Sequence, residues 1–196
     1  MIHPCARPRS ASRGFTLVEL MVTVAIVGIL SVAAYAGYHK FVVSSRLTEA
    51  ENILAGLKMR EQGYLAEKGK YLNLSIGLAA NGNNSGYLYP HCTAGATPGA
   101  FSVAWGGACP ASCCAHDFST LHIESSAPTF YGFSSVADTS SMPTVNINGA
   151  AVTWPTNPLN SWFVATAVGD SDGNKVYSTV MISSFDNEVR IDNDGE

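Results

Sequence analysis

The strongest constraint on this chain is an uncharged, apolar run near its N-terminus. Nineteen consecutive residues, from Leu20 to Tyr38, carry no charge. As an α-helix with a rise of about 1.5 Å per residue, this run spans roughly the 30 Å hydrocarbon core of a bilayer. It therefore predicts one membrane-spanning helix, and the rest of the chain must fold outside the bilayer.

An acidic residue, Glu19, stands directly before this run. A carboxylate where lipid begins costs a few kcal/mol unless it is neutralised or paired. A buried carboxylate and a buried ammonium are each unfavourable alone but are tolerated as a pair. Glu19 is therefore a candidate functional residue that needs a cationic partner.

The residues around Glu19 indicate what that partner is. The sequence GFTLVEL at residues 14–20, followed by the apolar run, resembles the class III signal of type IV pilins and of the similar pseudopilins of type II secretion. The resemblance implies that a prepilin peptidase cuts after Gly14 and that the new N-terminus, Phe15, is methylated. It also implies that Glu19 pairs with the terminal amine of a neighbouring subunit during assembly.

The first fourteen residues, MIHPCARPRSASRG, contain three arginines, two prolines and no acid. Their positive charge predicts a cytoplasmic N-terminus and a C-terminal domain on the other side of the inner membrane. Removing them lowers the basic count from 11 to 8 against 15 acidic residues, so the net charge changes from −4 to −7. An acidic mature chain without a basic patch gives no electrostatic reason to bind nucleic acid.

Two other interpretations of the apolar run are open. A secretory signal peptide would use Ala34-Tyr35-Ala36 as its cleavage site, but the apolar region is longer than the usual 7–15 residues or so and starts with Glu19. A plain single-pass anchor has the same topology. It leaves Gly14, Phe15 and Glu19 without a role.

Helical periodicity continues beyond the membrane segment to Lys68, and Gly69 provides a C-terminal stop. This predicts a leader at 1–14, a transmembrane and assembly half of the helix at 15–41, an amphipathic half at 42–69 and a globular domain at 70–196. Apolar side chains recur at helical spacing in the amphipathic half, at Leu47, Ala50, Leu54, Leu57 and Tyr64. Charged residues are predicted around that stripe, at Arg46, Glu49, Glu51, Lys58 and Glu61.

The globular domain begins with a loop rich in Gly, Asn and Ser and then becomes rich in β-branched and aromatic residues. Strands are predicted at 101–105, 119–124, 129–134, 162–168, 176–183 and 188–191. An antiparallel meander packed on the amphipathic half of the helix gives both elements a core. The predicted class is α+β and pilin-like, with a loop insertion at 137–160.

Four cysteines remain after the leader, which itself contains Cys5: Cys92, Cys109, Cys113 and Cys114. An even number in an oxidising compartment predicts two disulfides with three possible connectivities. A direct bridge between Cys113 and Cys114 would strain the backbone, so Cys92 and Cys109 are each expected to bridge to one of them. A metal site that adds His91 and His116 is the alternative, although the spacings do not follow a C-x-x-C pattern.

Three oxygen-bearing side chains, Asp170, Asp172 and Asn174, alternate along GDSDGNK. They resemble half of a calcium loop and the calcium sites near the C-terminus of some pseudopilins. As an EF-hand the segment fails, because the glycine is misplaced and Met181 stands where the closing glutamate should be. The alternative is a turn joining two strands.

No catalytic constellation is present in the sequence, so an enzyme is not expected. The resemblance implies a structural subunit that polymerises with other copies or related pilins into a type IV pilus for adhesion, motility or DNA uptake. Before assembly it would span the inner membrane once, and afterwards it would lie in a filament that crosses the periplasm or extends outside the cell. The alternatives are a type II secretion pseudopilin, which would use the same peptidase and inner-membrane assembly machinery, and a membrane-tethered binding module.

Overall fold

The computed structural model describes residues 14–80, 87–92, 98–99, 101–106, 108–139, 141–155 and 161–193. Apart from Gly14, the predicted leader lies outside the described residues. The chain divides into two compact units, residues 1–39 and residues 40–196. A single α-helix, α1 (Leu17–Lys68), is the longest element, and it is long and apolar enough to cross a membrane.

The second unit contains an antiparallel sheet of four strands: β1 (Gly132–Ala137), β4 (Phe163–Gly169), β5 (Ser178–Ser183) and β6 (Arg190–Asp192). Neighbouring strands pair in the order β1-β4-β5-β6, so the four strands of this sheet follow the chain order. A small hairpin, β2 (Asn146–Ile147) and β3 (Ala150–Ala151), is inserted between β1 and β4. The helix and the meander confirm the predicted α+β, pilin-like fold.

One face of the sheet packs on the amphipathic half of α1. Leu54 and Leu57 are fully buried in one cluster with Phe133, Phe163 and Val180 of three successive strands. Two polar ties reinforce this packing. The Arg46 guanidinium lies 3.6 Å from the centroid of the Phe130 ring and donates to the Ser171 carbonyl.

The prediction for Glu61 was wrong. Glu61 does not lie on the polar side of α1 but continues the apolar stripe formed by Leu54 and Leu57, and its side chain is fully buried. The spacing explains this position, because residues 54, 57, 61 and 64 alternate steps of three and four along one helix face. A carboxyl group therefore lies among core side chains.

Three of the strand predictions need correction. Residues 101–105 form isolated bridges, Phe101 with Pro98 and Val103 with Thr129, and no strand. The predicted strand at 129–134 begins later, at Gly132, because the Thr129 hydroxyl accepts a hydrogen bond from the Tyr131 N–H and turns the backbone.

A 3-10 helix, Phe118–Leu121, replaces the predicted strand at 119–124. Asp117 starts it by accepting a hydrogen bond from the Ser119 N–H at 2.8 Å, and His122 ends it with a left-handed backbone conformation. An aspartate that bonds to the backbone two residues on favours a turn over an extended strand.

The insertion at 137–160 was predicted as a loop and contains the β2–β3 hairpin. Asn148 and Gly149 form its two-residue turn with positive φ angles of 53° and 75°. Asn-Gly is the strongest short hairpin signal in a sequence, since both positions of this turn require positive φ. The hairpin helps to cover the second face of the sheet, where Val136, Val164 and Met181 are buried. That outer cluster also contains Val145, Trp162, Leu78, Ala80, Met142, Ile147, Val152, Trp154 and Phe185.

Candidate functional site

The first unit presents the predicted assembly segment as an exposed apolar helix. Phe15, Leu17, Ile29 and Val32 are each at least 73% exposed. Among the described residues, no neighbouring side chain or distant backbone lies within 4 Å of the position that a Cβ atom of Gly14, at the predicted cleavage point, would take. A soluble protein does not expose so large a continuous apolar surface, so this segment is built to lie in lipid or against other helices.

Glu19 and Thr16 form a capping box at the start of α1. The Thr16 hydroxyl accepts a hydrogen bond from the Glu19 N–H at 3.2 Å, and a Glu19 carboxylate oxygen accepts from the Thr16 N–H at 3.3 Å. The same oxygen accepts from the Thr16 hydroxyl at 3.1 Å. Two backbone donors that α1 leaves without helical partners are thereby satisfied. Glu19 thus has a role within its own helix, beside the intersubunit pairing that the resemblance implies.

The sequence analysis assigned no role to Thr16, although a signal was present. Thr-Leu-Val-Glu follows the pattern of Ser or Thr followed three residues later by Glu or Gln, directly before an apolar run. That pattern is typical of a helix N-terminus.

The four cysteines lie together as two adjacent bridges in the second unit. Cys92 is bridged to Cys113, with their Cα atoms 5.6 Å apart, and Cys109 is bridged to Cys114, with a Cα separation of 5.8 Å. The Sγ atoms of Cys92 and Cys109 are 3.8 Å apart. All four sulfurs lie within 4.8 Å of one another, a spacing that reduced thiolates could also present to a metal ion.

The two histidines of the alternative metal site have backbone partners. His91 is buried and its Nε2 lies 3.3 Å from the Thr129 carbonyl oxygen, and burial lowers the pKa of its imidazole. The Nδ1 atom of His116 lies 2.7 Å from the Asn73 carbonyl oxygen. Neither histidine belongs to the sulfur cluster, which consists of the four cysteines.

We expect peptide mapping of the purified, unreduced protein to find the pairs Cys92–Cys113 and Cys109–Cys114 and no free thiol. No protease separates Cys113 from Cys114, so the linked peptides must be fragmented between these two residues in the mass spectrometer. The reason for the expectation is that disulfides persist outside the cytoplasm. Four reactive thiols, or stoichiometric zinc released by a chelator, would contradict it.

The candidate calcium residues lie in the connection between β4 and β5, where their oxygens bind backbone donors. Asp170 accepts from the N–H groups of Gly173 and Lys175, at 2.8 and 3.0 Å. Asp172 accepts from the Asn174 N–H at 3.0 Å. These bonds are those of a turn held by aspartate side chains. Calcium at these oxygens stays a prediction.

Glu61 defines a buried carboxyl site that the sequence analysis did not find. One of its oxygens accepts a hydrogen bond from the Leu72 N–H at 2.9 Å, and the other has no hydrogen-bond partner among the described residues. Burial is the main cause that raises its pKa to about 7, and the negative charge of Asp138 adds to the effect. The Ser161 hydroxyl, which donates to Asp138, accepts a hydrogen bond from the Tyr71 N–H. These bonds connect the segment after α1 to the helix and to residues that flank β1 and β4.

The structure thus joins an α+β domain to an exposed apolar helix that begins with a capped acid and is long and apolar enough to cross a membrane. The family model for the prokaryotic N-terminal methylation motif matches residues 9–35. That range contains the predicted cleavage point and Glu19.

The relatives that this chain resembles are pilins and fimbrial proteins. The chain is 38% identical over 77 residues to the fimbrial protein EcpC of Eikenella corrodens, covering 38% of this chain and 50% of that protein. It is 40% identical over 79 residues to the type IV major pilin protein PilA of Myxococcus xanthus, covering 39% and 36%. It is 35% identical over 82 residues to the type IV major fimbrial protein FimA of Dichelobacter nodosus, covering 40% and 51%.

The motif and these relatives support the type IV pilin family for this chain, as the sequence GFTLVEL predicts. The chain spans about half the length or less of these relatives. No solved structure matches the chain.

Proposed function

We propose that this protein is a structural subunit, a pilin, that polymerises through its N-terminal helix into a type IV pilus. The observation that carries the proposal is the exposed apolar surface of the first unit, which lies in a region that matches the methylation motif. A helix with apolar side chains on all sides needs either lipid or other helices around it. A bilayer supplies the first environment before assembly, and a bundle of subunit helices supplies the second.

The names of the relatives favour a structural role over a catalytic one, since they are called pilin and fimbrial proteins. Prepilin peptidase, the inner-membrane assembly machinery and other pilin copies are the partners of this proposal. The same names favour a pilus subunit over a secretion pseudopilin. A tethered binding module remains the alternative from another class, and it predicts a chain that keeps residues 1–14.

Processing at Gly14 tests the proposal. We expect Gly14→Leu to keep its leader, because a peptidase that cuts beside a glycine must fit a small residue there. Intact-mass measurement of wild type should show the loss of residues 1–14 and the addition of one methyl group, whereas the variant should keep its full mass.

Gly28→Leu is the matched control. In the described part of the chain, nothing beyond the local backbone and adjoining residues lies within 4 Å of a Cβ at Gly14 or Gly28, so neither change causes a clash there. Gly28→Leu should be cut and methylated like wild type. Normal processing of Gly14→Leu, or an uncut and unmethylated wild type, would argue for the tethered module.

A further inference from the structure

A small pocket beside the disulfides combines aromatic walls with acidic groups. Its volume is about 360 Å³, at the lower end of the roughly 300–1,000 Å³ typical of ligand sites. The pocket lies between the segment around Trp105 and the 3-10 helix. Its lining residues are Tyr89, Trp105, Gly106, Ala108, Asp117, Ser119, Ile123 and Glu124.

The two aromatic side chains are held in fixed positions, and Trp105 is the more accessible of the two, because Tyr89 is only 5% exposed and its ring stacks on Phe118. The rings of Tyr89 and Trp105 are nearly perpendicular, at 88°, with centroids 5.2 Å apart. The indole N–H of Trp105 donates to the Ile123 carbonyl at 2.9 Å, and the Gly106 N–H donates to the Tyr89 hydroxyl at 3.3 Å. Because hydrogen bonds hold both rings, a ligand would not have to order them on binding.

The charged groups of the pocket are both acids. Asp117 accepts hydrogen bonds from the N–H groups of Cys109 and Ser119, and these bonds lower the pKa of its carboxyl group. Glu124 is exposed. Neither carboxylate forms an ion pair within the part of the chain that the structure describes. The pocket is therefore negative and has no cation of its own.

We propose that this pocket binds a small organic ammonium ion, with the cation against the Trp105 ring and near Glu124. Aromatic faces attract cations through the ring quadrupole, and a quaternary ammonium loses less hydration than a metal ion when it meets them. Nearby carboxylates add attraction for positive charge and disfavour anions. The proposal concerns the globular unit and does not depend on the subunit forming filaments.

Choline is the probe, and 3,3-dimethyl-1-butanol, which has the same shape without the charge, is the matched control ligand. The full mature chain should be kept in a maltoside detergent, because detergents with choline head groups would compete. We expect saturable binding of choline in a calorimetric titration and at least tenfold weaker binding of the neutral analogue.

Variants locate the site. Trp105→Leu should weaken choline binding at least tenfold and Glu124→Gln severalfold, while Glu67→Gln, which removes an exposed acid at the end of α1, should leave it unchanged. Glu124 is exposed, so its variant keeps the test valid even if Trp105→Leu does not fold. Equal binding of both ligands, no saturation by choline, or undiminished binding by a folded Glu124→Gln protein would overturn the proposal.

Discussion

Cells that carry Glu19→Ala will yield sheared filaments with at least about tenfold less of this subunit, while their membranes hold normal amounts of it. A carboxylate at the edge of the bilayer costs a few kcal/mol, and in the proposed filament the terminal amine of a neighbouring Phe15 would offset this cost. In a dry helix bundle, losing one partner leaves the other charge without compensation, at a cost of about 3–5 kcal/mol. Immunoblots of sheared and membrane fractions measure the effect.

The capping box complicates this experiment and also supplies its controls. Glu19→Ala removes both the charge and the carboxylate that accepts from the Thr16 N–H, but it keeps the bond from the residue 19 N–H to the Thr16 hydroxyl. Glu19→Gln removes the charge but keeps an acceptor that suits a capping box. Thr16→Val keeps the charge and removes the hydroxyl that accepts from the Glu19 N–H.

If intersubunit pairing explains Glu19, then Glu19→Gln will be as deficient as Glu19→Ala, and Thr16→Val will assemble nearly normally. If instead Glu19→Gln assembles nearly normally and Thr16→Val is deficient, Glu19 serves mainly in the helix cap. Equal recovery of all three variants with wild type would remove Glu19 from the assembly mechanism.

Glu61→Gln should stabilise the globular unit at pH 8 by roughly 3 kcal/mol relative to wild type. The folded state raises the pKa of Glu61 from 4.5 to about 7, mainly through burial. The contribution of this carboxyl to stability is therefore fully present below pH 4.5 and is lost as pH rises to about 7. Glutamine stays neutral throughout and keeps an oxygen that can accept from the Leu72 N–H.

Denaturant unfolding of the full chain in detergent, at intervals between pH 5 and pH 8, measures this difference. His91 acts in the opposite direction, because its lowered pKa gives stability above pH 6.5 that is lost as pH falls. That contribution is common to both proteins and cancels in the difference between Glu61→Gln and wild type. Glu67→Gln, at an exposed position, should have nearly the same stability as wild type across this pH range. If the difference in free energy of unfolding between Glu61→Gln and wild type stays constant from pH 5 to pH 8, the pKa of Glu61 is not raised in the folded state.

The sequence predicted the parts of the fold that depend on long, regular patterns. The run from Leu20 to Tyr38 and the stripe through Leu54 and Leu57 specify α1, because apolar spacing alone determines its faces. The runs rich in β-branched residues at 162–168 and 176–183 correspond to β4 and β5, each displaced by one or two residues. GFTLVEL, a short and specific motif, indicated the family.

The features that escaped prediction depend on contacts between residues far apart in the chain. Helical spacing alone puts Glu61 in line with Leu54 and Leu57, but its hydrogen bond with Leu72 and the nearby charge of Asp138 appear only in the fold. The pocket at Trp105 requires Tyr89 and Glu124, which come from separate segments. The 3-10 helix and the β2–β3 hairpin were different, since Asp117 and Asn148-Gly149 gave local signals that outweighed the strand and loop patterns.

The covering of the outer face of the sheet affects how freely the surface of this protein can change in evolution. Segments that were predicted to be loops contain Leu88 and Val145, and both side chains are fully buried against the strands. Substitutions in a loop that only meets solvent cost little, whereas removing a buried methyl-bearing side chain costs on the order of 1–4 kcal/mol. Variation on this side of the domain is thus confined to the exposed positions between these buried residues. Substitutions on this side of the domain are tolerated only where they preserve the packing of these buried side chains.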